Sequence, residues 1–221
     1  MIKLPFNIGL VLSRRKKAPV FCWFETTFRP HQLLHLLART RWLRIVDKDA
    51  ESVIIKLYGQ QIKLLNGYFV CLANEWKIWE RYYLPTFSLG GKTVLDIGAG
   101  CGETAFLYFL YGARKIVAIE LDKKVVEYLK ENVKRNNWNV EVIPEAFKLE
   151  HLNIPHDFMK MDIEGHEKEL LKASIIKPCI LEVHNSELKR KFEEKGFREV
   201  CFNEPARYLM SFTPKSGEHA Q

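Results

Sequence analysis

No stretch of this 221-residue sequence stays apolar for the roughly 18 residues that would span a bilayer. The early apolar patch at 8–12 is followed, not preceded, by its basic cluster Arg14-Arg15-Lys16-Lys17, so neither a secretory signal nor a membrane span is expected, and the chain reads as cytoplasmic. Cysteine pairing is also missing. The five cysteines at 22, 71, 101, 179 and 201 are odd in number and scattered, with no Cys-x-x-Cys pair and no Cys/His spacing suited to zinc. They read as reduced thiols. Only Cys101 lies in a turn that could face a ligand, and nothing basic flanks it to favour a thiolate. There is no internal repeat or low-complexity tract, and the hydrophobic share of 47% with 28% charged residues excludes a disordered or fibrous chain. The length suits one large domain, or one of about 150 residues with a smaller companion.

Acidic residues are scarce at one end. Residues 1–70 hold 12 Lys and Arg against 4 Asp and Glu, whereas residues 71–221 hold 22 against 23, so the net charge of +7 is carried by the first third. A basic region of this kind steers a polyanion such as RNA, an acidic membrane surface or an anionic small substrate, and it equally describes a solvated surface.

The first 70 residues have strand character. Segments 20–28, 41–47, 51–58 and 60–65 are aromatic or β-branched, the last two flanking Gly59 like the arms of a hairpin. Between them Pro30 opens a short helix with Leu33, Leu34 and Leu37 on one face; His31 and His35 stand i, i+4 there, with no third metal ligand in view. Asn74 reads as the cap of a helix over 75–84 bearing Trp76, Trp79 and Tyr83, an aromatic stripe that suits packing better than a lid. These features define a basic, β-rich region over 1–84.

From 85 to 221 strands alternate with helices, as in an α/β doubly wound, seven-stranded, mostly parallel sheet with helices on both faces. Strands are expected at 93–97, 115–120, 139–143, 157–162, 178–183, 197–202 and 207–213, with helices at 103–111, 122–136, 165–173 and 186–195. The crossover 144–156 is too short and polar for a full helix.

The first strand runs into Asp96-Ile97-Gly98-Ala99-Gly100-Cys101-Gly102-Glu103. Glycines in such a turn let the backbone adopt positive φ and approach a ligand, while the helix that follows offers unpaired N–H groups. What is lacking is the third glycine of a dinucleotide fingerprint: its place holds Glu103, whose bulk and charge disfavour a pyrophosphate and hence a dehydrogenase. The pattern instead suits a ligand with a cationic amino-acid end, such as S-adenosylmethionine. Glu120, 24 residues after Asp96 at the end of the next strand, is placed to accept ribose hydroxyls.

The fourth strand reads Lys160-Met-Asp162-Ile-Glu164-Gly165-His-Glu167, and with the glycine turn it resembles the FkbM-type S-adenosylmethionine-dependent methyltransferases over about 85–185. Two departures are evident: Gly100 stands where that family has Asn, and the basic first third has no counterpart. The resemblance implies a class I methyltransferase fold in which Asp96, Ile97 and the backbone of Gly98, Ala99 and Gly100 hold the methionine end, Glu120 and Leu121 the ribose, and Glu145 and Ala146 the adenine. Asp162 would close the pocket near the sulfonium. It further implies O-methylation of a small-molecule or glycan hydroxyl. The basic residues 1–70 make RNA methylation the alternative, and a non-catalytic S-adenosylmethionine-binding protein a second one. Asp162, Glu164, Glu182 and His184 fall on the ligand-facing rim. His184, whose unperturbed pKa lies near operating pH, is the candidate general base, with Asp162 and Glu164 beside it. Those four side chains could hold Mg²⁺ through oxygens, but they show no defined ligand spacing, so no metal is expected. Oligomeric state is not legible.

Overall fold

A computed structural model describes residues 43–174, 176–204 and 207–214. The strand expected at 20–28, the helix opened by Pro30, the His31/His35 pair and most of the basic stretch lie outside the described residues.

The described chain begins with an antiparallel three-stranded sheet, β1 (Leu43–Lys48), β2 (Ser52–Leu57) and β3 (Gln60–Leu65). Alternation decides its faces: Val53, Ile55 and Leu57 are buried on one side, while Arg44 and Lys56, opposite each other in register, are exposed on the other. Tyr58 at φ 46° and Gly59 at φ 90° close the tight β2–β3 turn.

The chain passes from β3 directly into α1 (Asn66–Tyr82), which starts nine residues earlier than the helix expected over 75–84. Asn74 does not cap it. Its side-chain amide donates back to the Val70 carbonyl within the helix, a bond open to a polar residue in a helix interior. The Asn66-Gly67 pair looks like a turn in sequence, yet packing of Phe69, Leu72, Trp76 and Trp79 overrides it.

The second sheet has seven strands: β4 (Thr93–Ile97), β5 (Lys115–Ile119), β6 (Val140–Ile143), β7 (Phe158–Met161), β8 (Cys179–Val183), β9 (Arg198–Glu204) and β10 (Arg207–Phe212). Their order is β6-β5-β4-β7-β8-β10-β9, parallel except for β10, which is antiparallel to both neighbours. Helices α2 (Glu103–Leu110), α3 (Lys123–Asn136) and α4 (Ser186–Glu194) are joined by two short 3₁₀ segments, Leu149–Asn153 and Glu167–Lys172. The second of these replaces the helix expected at 165–173. Caps fix the true helices: the Asp122 carboxylate accepts from the Lys124 and Val125 N–H groups, Asn185 accepts from Leu188 N–H, and Asn137 ends α3 in the left-handed region. The reversal of strand order between β5-β4 and β7 creates the switch point at which ligands of open α/β sheets bind.

The three-stranded sheet and the large one share a single apolar cluster, in which the rings of Tyr58, Trp76 and Phe106 meet one another and Phe106 stacks on Trp138. Asn132, fully buried on α3, joins them by hydrogen bonds. It accepts from the Lys63 N–H at 2.7 Å and donates to the carbonyls of Lys63 and Cys101 at 2.7 and 2.9 Å. Because Cys101 belongs to the glycine turn, this one amide ties the small sheet to the ligand end of the large one. Asn132→Ala would strand three backbone groups, and we expect a loss of about 2–4 kcal/mol in chemical denaturation. A loss below about 1 kcal/mol would show that the turn is anchored elsewhere.

Candidate active site

At the switch point the turn after β4 is wedged between two strand ends. The N–H groups of Gly98 and Ala99 donate to the Ile119 carbonyl at the end of β5, and Asp162 N–H, just past β7, donates to the Ile97 carbonyl at 3.0 Å. Gly98, at φ 74°, lies directly on the backbone of Asp162, and a Cβ there would fall on the Asp162 carbonyl. Gly100, at φ 57°, is crowded instead by the side chains of Glu103 and Tyr68. These glycines are required by close approach as well as by handedness.

Beneath the turn lies a buried ion pair. Asp96 and Lys160 are partners in the β4–β7 register and are 0% and 2% exposed. The Lys160 ammonium donates to the Gly98 carbonyl at 2.6 Å and stands 3.4 Å from Asp96 Oδ1; Thr104 Oγ1 donates to Asp96 Oδ2 at 2.6 Å. Burial raises the Asp96 pKa, with Lys160 and Thr104 holding it back, while at Lys160 the surrounding carboxylates outweigh burial and raise its pKa. Asp96 Oδ1 has no hydrogen-bond partner, and neither has Glu103 Oε2. Two acceptors are thus buried beside a glycine cradle, which fits the ammonium end of an amino acid. Glu120 accepts from Gly100 N–H at 3.0 Å and Asp122 N–H at 2.9 Å, leaving acceptor capacity on both oxygens for ribose hydroxyls.

Two expectations change here. Glu103 does occupy the third-glycine place, but burial pushes its pKa up to about 8, so the neutral acid is favoured near pH 7 and the charge argument against a pyrophosphate fails while the steric one stands. Cys101 is buried and its pKa is raised well above the usual thiol range, first by burial, which excludes a reactive thiolate. The Glu103 shift has a testable sign. Its folded-state pKa of about 8 exceeds the ordinary value of 4.5, so the folded form holds a proton that the unfolded chain releases, and stability falls as pH rises from about 4.5 to 8. Glu103→Gln should flatten that loss in melting curves recorded from pH 5 to 8. An unchanged slope would assign the effect to other groups.

Leu121, two residues after β5, is 66% exposed. Glu145 is not brought to the cradle in a free form: its oxygens are held by His151 Nε2 at 2.9 Å and Lys148 Nζ at 2.6 Å. Ala146 beside it is exposed.

The second cluster forms where β7 and β8 end. Asp162 and Glu164 follow β7, Glu164 at φ 51° and Gly165 at φ 102° making a left-handed turn, and Glu182 and His184 close β8. His184 Nδ1 lies 2.8 Å from Glu167 Oε1, which also accepts from Gly165 N–H. Its Nε2 faces Glu164, Glu182 and Asp162 at 3.3, 3.4 and 3.8 Å. The Tyr83 hydroxyl, at the end of α1, donates to Glu182 Oε2 at 2.7 Å.

The four rim residues are therefore assembled as a unit, but the imidazole of His184 does not keep its unperturbed pKa. Burial works against its charge, yet the carboxylates of Glu167 and Glu182, then of Asp162 and Glu164, outweigh it and push its pKa up to about 10. That shift favours the imidazolium at neutral pH in the ion-free cluster. Partial burial and the nearby Glu182 and Glu164 raise the Asp162 pKa, against relief from Lys160 and His184. Sequence reasoning missed the parts played by Lys160, Thr104, Glu167 and Tyr83. The available signal was Lys160 itself, a lone cation in an apolar strand facing the lone Asp of another.

The comparisons with known proteins agree with this architecture. The TRM5/TYW2 methyltransferase domain model matches residues 54–177. The ribosomal protein L11 methyltransferase of Dictyoglomus thermophilum is 38% identical over 106 residues, 48% of this chain and 31% of that protein. That of Desulforamulus reducens is 28% identical over 212 residues, 88% of this chain and 66% of that protein. The chain thus spans about a third to two thirds of these curated relatives. The crystal structure of M. jannaschii TYW2 in complex with AdoMet superposes with a TM-score of 0.51 at 21% identity, covering 76% of this chain and 87% of that one, a likeness of fold. No helix among the described residues is long and apolar enough to cross a membrane. The matched span contains the Asp162-Ile-Glu-Gly element and also takes in most of β2, all of β3 and α1, upstream of the 85–185 on which the FkbM resemblance rested, so that assignment is replaced. This chain belongs to the TRM5/TYW2 methyltransferase domain family.

Proposed function

We propose that this protein is an S-adenosylmethionine-dependent methyltransferase whose acceptor is RNA. The observation that carries the acceptor is the separation of charge: 12 basic against 4 acidic residues in 1–70, and 22 against 23 in the remainder. Arg44 and Lys56 extend that basic character onto the exposed face of the small sheet, where a polyanion would meet it. A small neutral hydroxyl compound or a glycan has no use for such a field.

The cradle supports the cofactor reading through its own residues. Asp96 and Glu103 present buried acceptors to an α-ammonium group beside the Gly98–Gly100 turn, and Glu120 takes the ribose. When bound, S-adenosylmethionine supplies an electrophilic methyl group. Much of the protein's task is then alignment of the acceptor with that methyl. The acidic cluster on the rim, Asp162, Glu164 and Glu182, accepts hydrogen bonds from N–H or O–H groups, as an unstacked nucleobase edge or a ribose hydroxyl would offer.

The test is transfer of tritiated methyl from labelled S-adenosylmethionine into fractionated RNA, ribosomal protein and small-molecule pools. Nuclease-sensitive label is expected, and retention on immobilised RNA should fall steeply with salt. Label appearing only in protease-sensitive or low-mass fractions would remove the RNA reading and leave the methyltransferase reading intact.

A further inference from the structure

We propose that the ends of β7 and β8 form a divalent-cation site in which His184 Nε2 and the carboxylates of Asp162 and Glu182 are the ligands, with Glu164 at its edge. Ligand atoms of Asp162, Glu182 and His184 all lie within 4.8 Å of one another, so that a contraction of a few tenths of an ångström brings them within the span of about 4.2–4.6 Å open to donors about 2.1–2.3 Å from one shared ion.

Acidic groups cluster without an ion in many proteins, and what distinguishes this group is the histidine. The His184 side chain is 7% exposed, and its Nε2 is buried with no hydrogen-bond partner although it points among three carboxylates. At 3.3, 3.4 and 3.8 Å those oxygens are longer than charge-assisted hydrogen bonds, which run about 2.7–2.9 Å. Asp162 Oδ1 is likewise buried and unpartnered. These two atoms thus converge on the same point without bonding to each other, and an ion bound there displaces the Nε2 proton of the charged imidazole to solvent, as metal binding to histidine requires.

The supporting contacts have the form that metal sites use. Glu167, 0% exposed, takes the other imidazole nitrogen at 2.8 Å and is itself fixed by Gly165 N–H, which sets the ring with Nε2 toward the cluster. Tyr83 holds the outer oxygen of Glu182 and leaves Oε1 toward His184. One imidazole with two or three carboxylates is a mixed donor set that suits Mn²⁺, Fe²⁺ or Co²⁺ better than an all-oxygen Ca²⁺ site or a thiolate zinc site.

The position gives such an ion a use that depends on the methyltransferase reading above: a cation here lies beside the Asp162 backbone that abuts Gly98, so an acceptor oxygen or nitrogen could complete its coordination. Binding itself does not depend on that reading.

The experiment uses the full chain and Mn²⁺ alone. Titration followed by the electron paramagnetic resonance of free Mn²⁺ should reveal one site per chain. His184→Gln and Glu182→Gln should each weaken it by at least about tenfold, and Glu167→Gln, which only orients the ring, by about tenfold; exposed Glu127→Gln is the control. Because buried variants can misfold, pulsed measurements on the wild-type Mn²⁺ complex supply a second readout, in which ¹⁴N coupling from one imidazole is expected. No stoichiometric binding at millimolar Mn²⁺ by the folded protein, or a bound ion without ¹⁴N coupling, overturns the site. Methyl transfer that persists in a chelator without Mn²⁺ binding refutes the site alone, whereas Mn²⁺ binding without any methyl transfer refutes the function alone.

Discussion

Gly98→Ala is expected to abolish binding of S-adenosylmethionine and to cost about 4 kcal/mol or more in stability, a range that few single substitutions reach. Two separate penalties coincide at this residue. Its φ of 74° strains any side chain, and the new Cβ would land on the Asp162 carbonyl, which cannot retreat because Asp162 N–H is bonded to Ile97 at 3.0 Å. The β7 end would have to move away from β4, opening the cradle and the acidic cluster together. Gly165→Ala is the internal comparison. It has φ 102° but no atom within 4 Å of the place its Cβ would take, so strain alone, about 1 kcal/mol, is expected. Calorimetric titration with S-adenosylhomocysteine and urea denaturation of both variants decide the matter: equal losses would mean that handedness, not close approach, governs the turn.

Lys160→Met is the second substitution with a large expected effect, about 3–5 kcal/mol. It removes the cation that faces Asp96 at 3.4 Å in a place where both side chains are almost wholly buried, and it deprives the Gly98 carbonyl of its 2.6 Å donor. The greater part of the loss is the uncompensated charge left on Asp96. Adding Asp96→Asn should therefore restore some stability, since the amide keeps the volume without the charge, and the double-mutant cycle measures the coupling directly. Additive losses in that cycle would mean that Lys160 acts on the turn through Gly98 alone. Cofactor affinity should stay low in the double variant, because an amide lacks the negative charge that Asp96 offers to an ammonium group.

Much of the large sheet was legible in the sequence, because parallel strands between helices are short apolar runs with polar borders. Thr93–Ile97 and Lys115–Ile119 appear where apolar runs end at Asp96-Ile97 and Glu120, and Asp122 and Asn185 signal their helices as caps. The helix at Asn66–Tyr82 was half hidden, since the Asn66-Gly67 pair argues locally for a turn and only burial of its aromatic face outweighs that preference. The 3₁₀ segment at Glu167–Lys172 was read as a longer helix because the periodicity of six residues does not separate the two.

The sequence by itself determined the alternation of strands and helices, the glycine turn, the acid after β5 and the unequal charge of the two parts. Tertiary structure decided what those residues are chemically. Glu103 carries charge by its residue type, but burial favours its neutral form; His184 has an unperturbed pKa near neutrality, but four carboxylates from two strand ends and a 3₁₀ segment hold it charged. Asp96 and Lys160 are 64 positions apart, and only the β4–β7 register makes them partners. Ionisation depends on which groups lie within a few ångströms and on how much water reaches them, and neither quantity exists until the strands are in order.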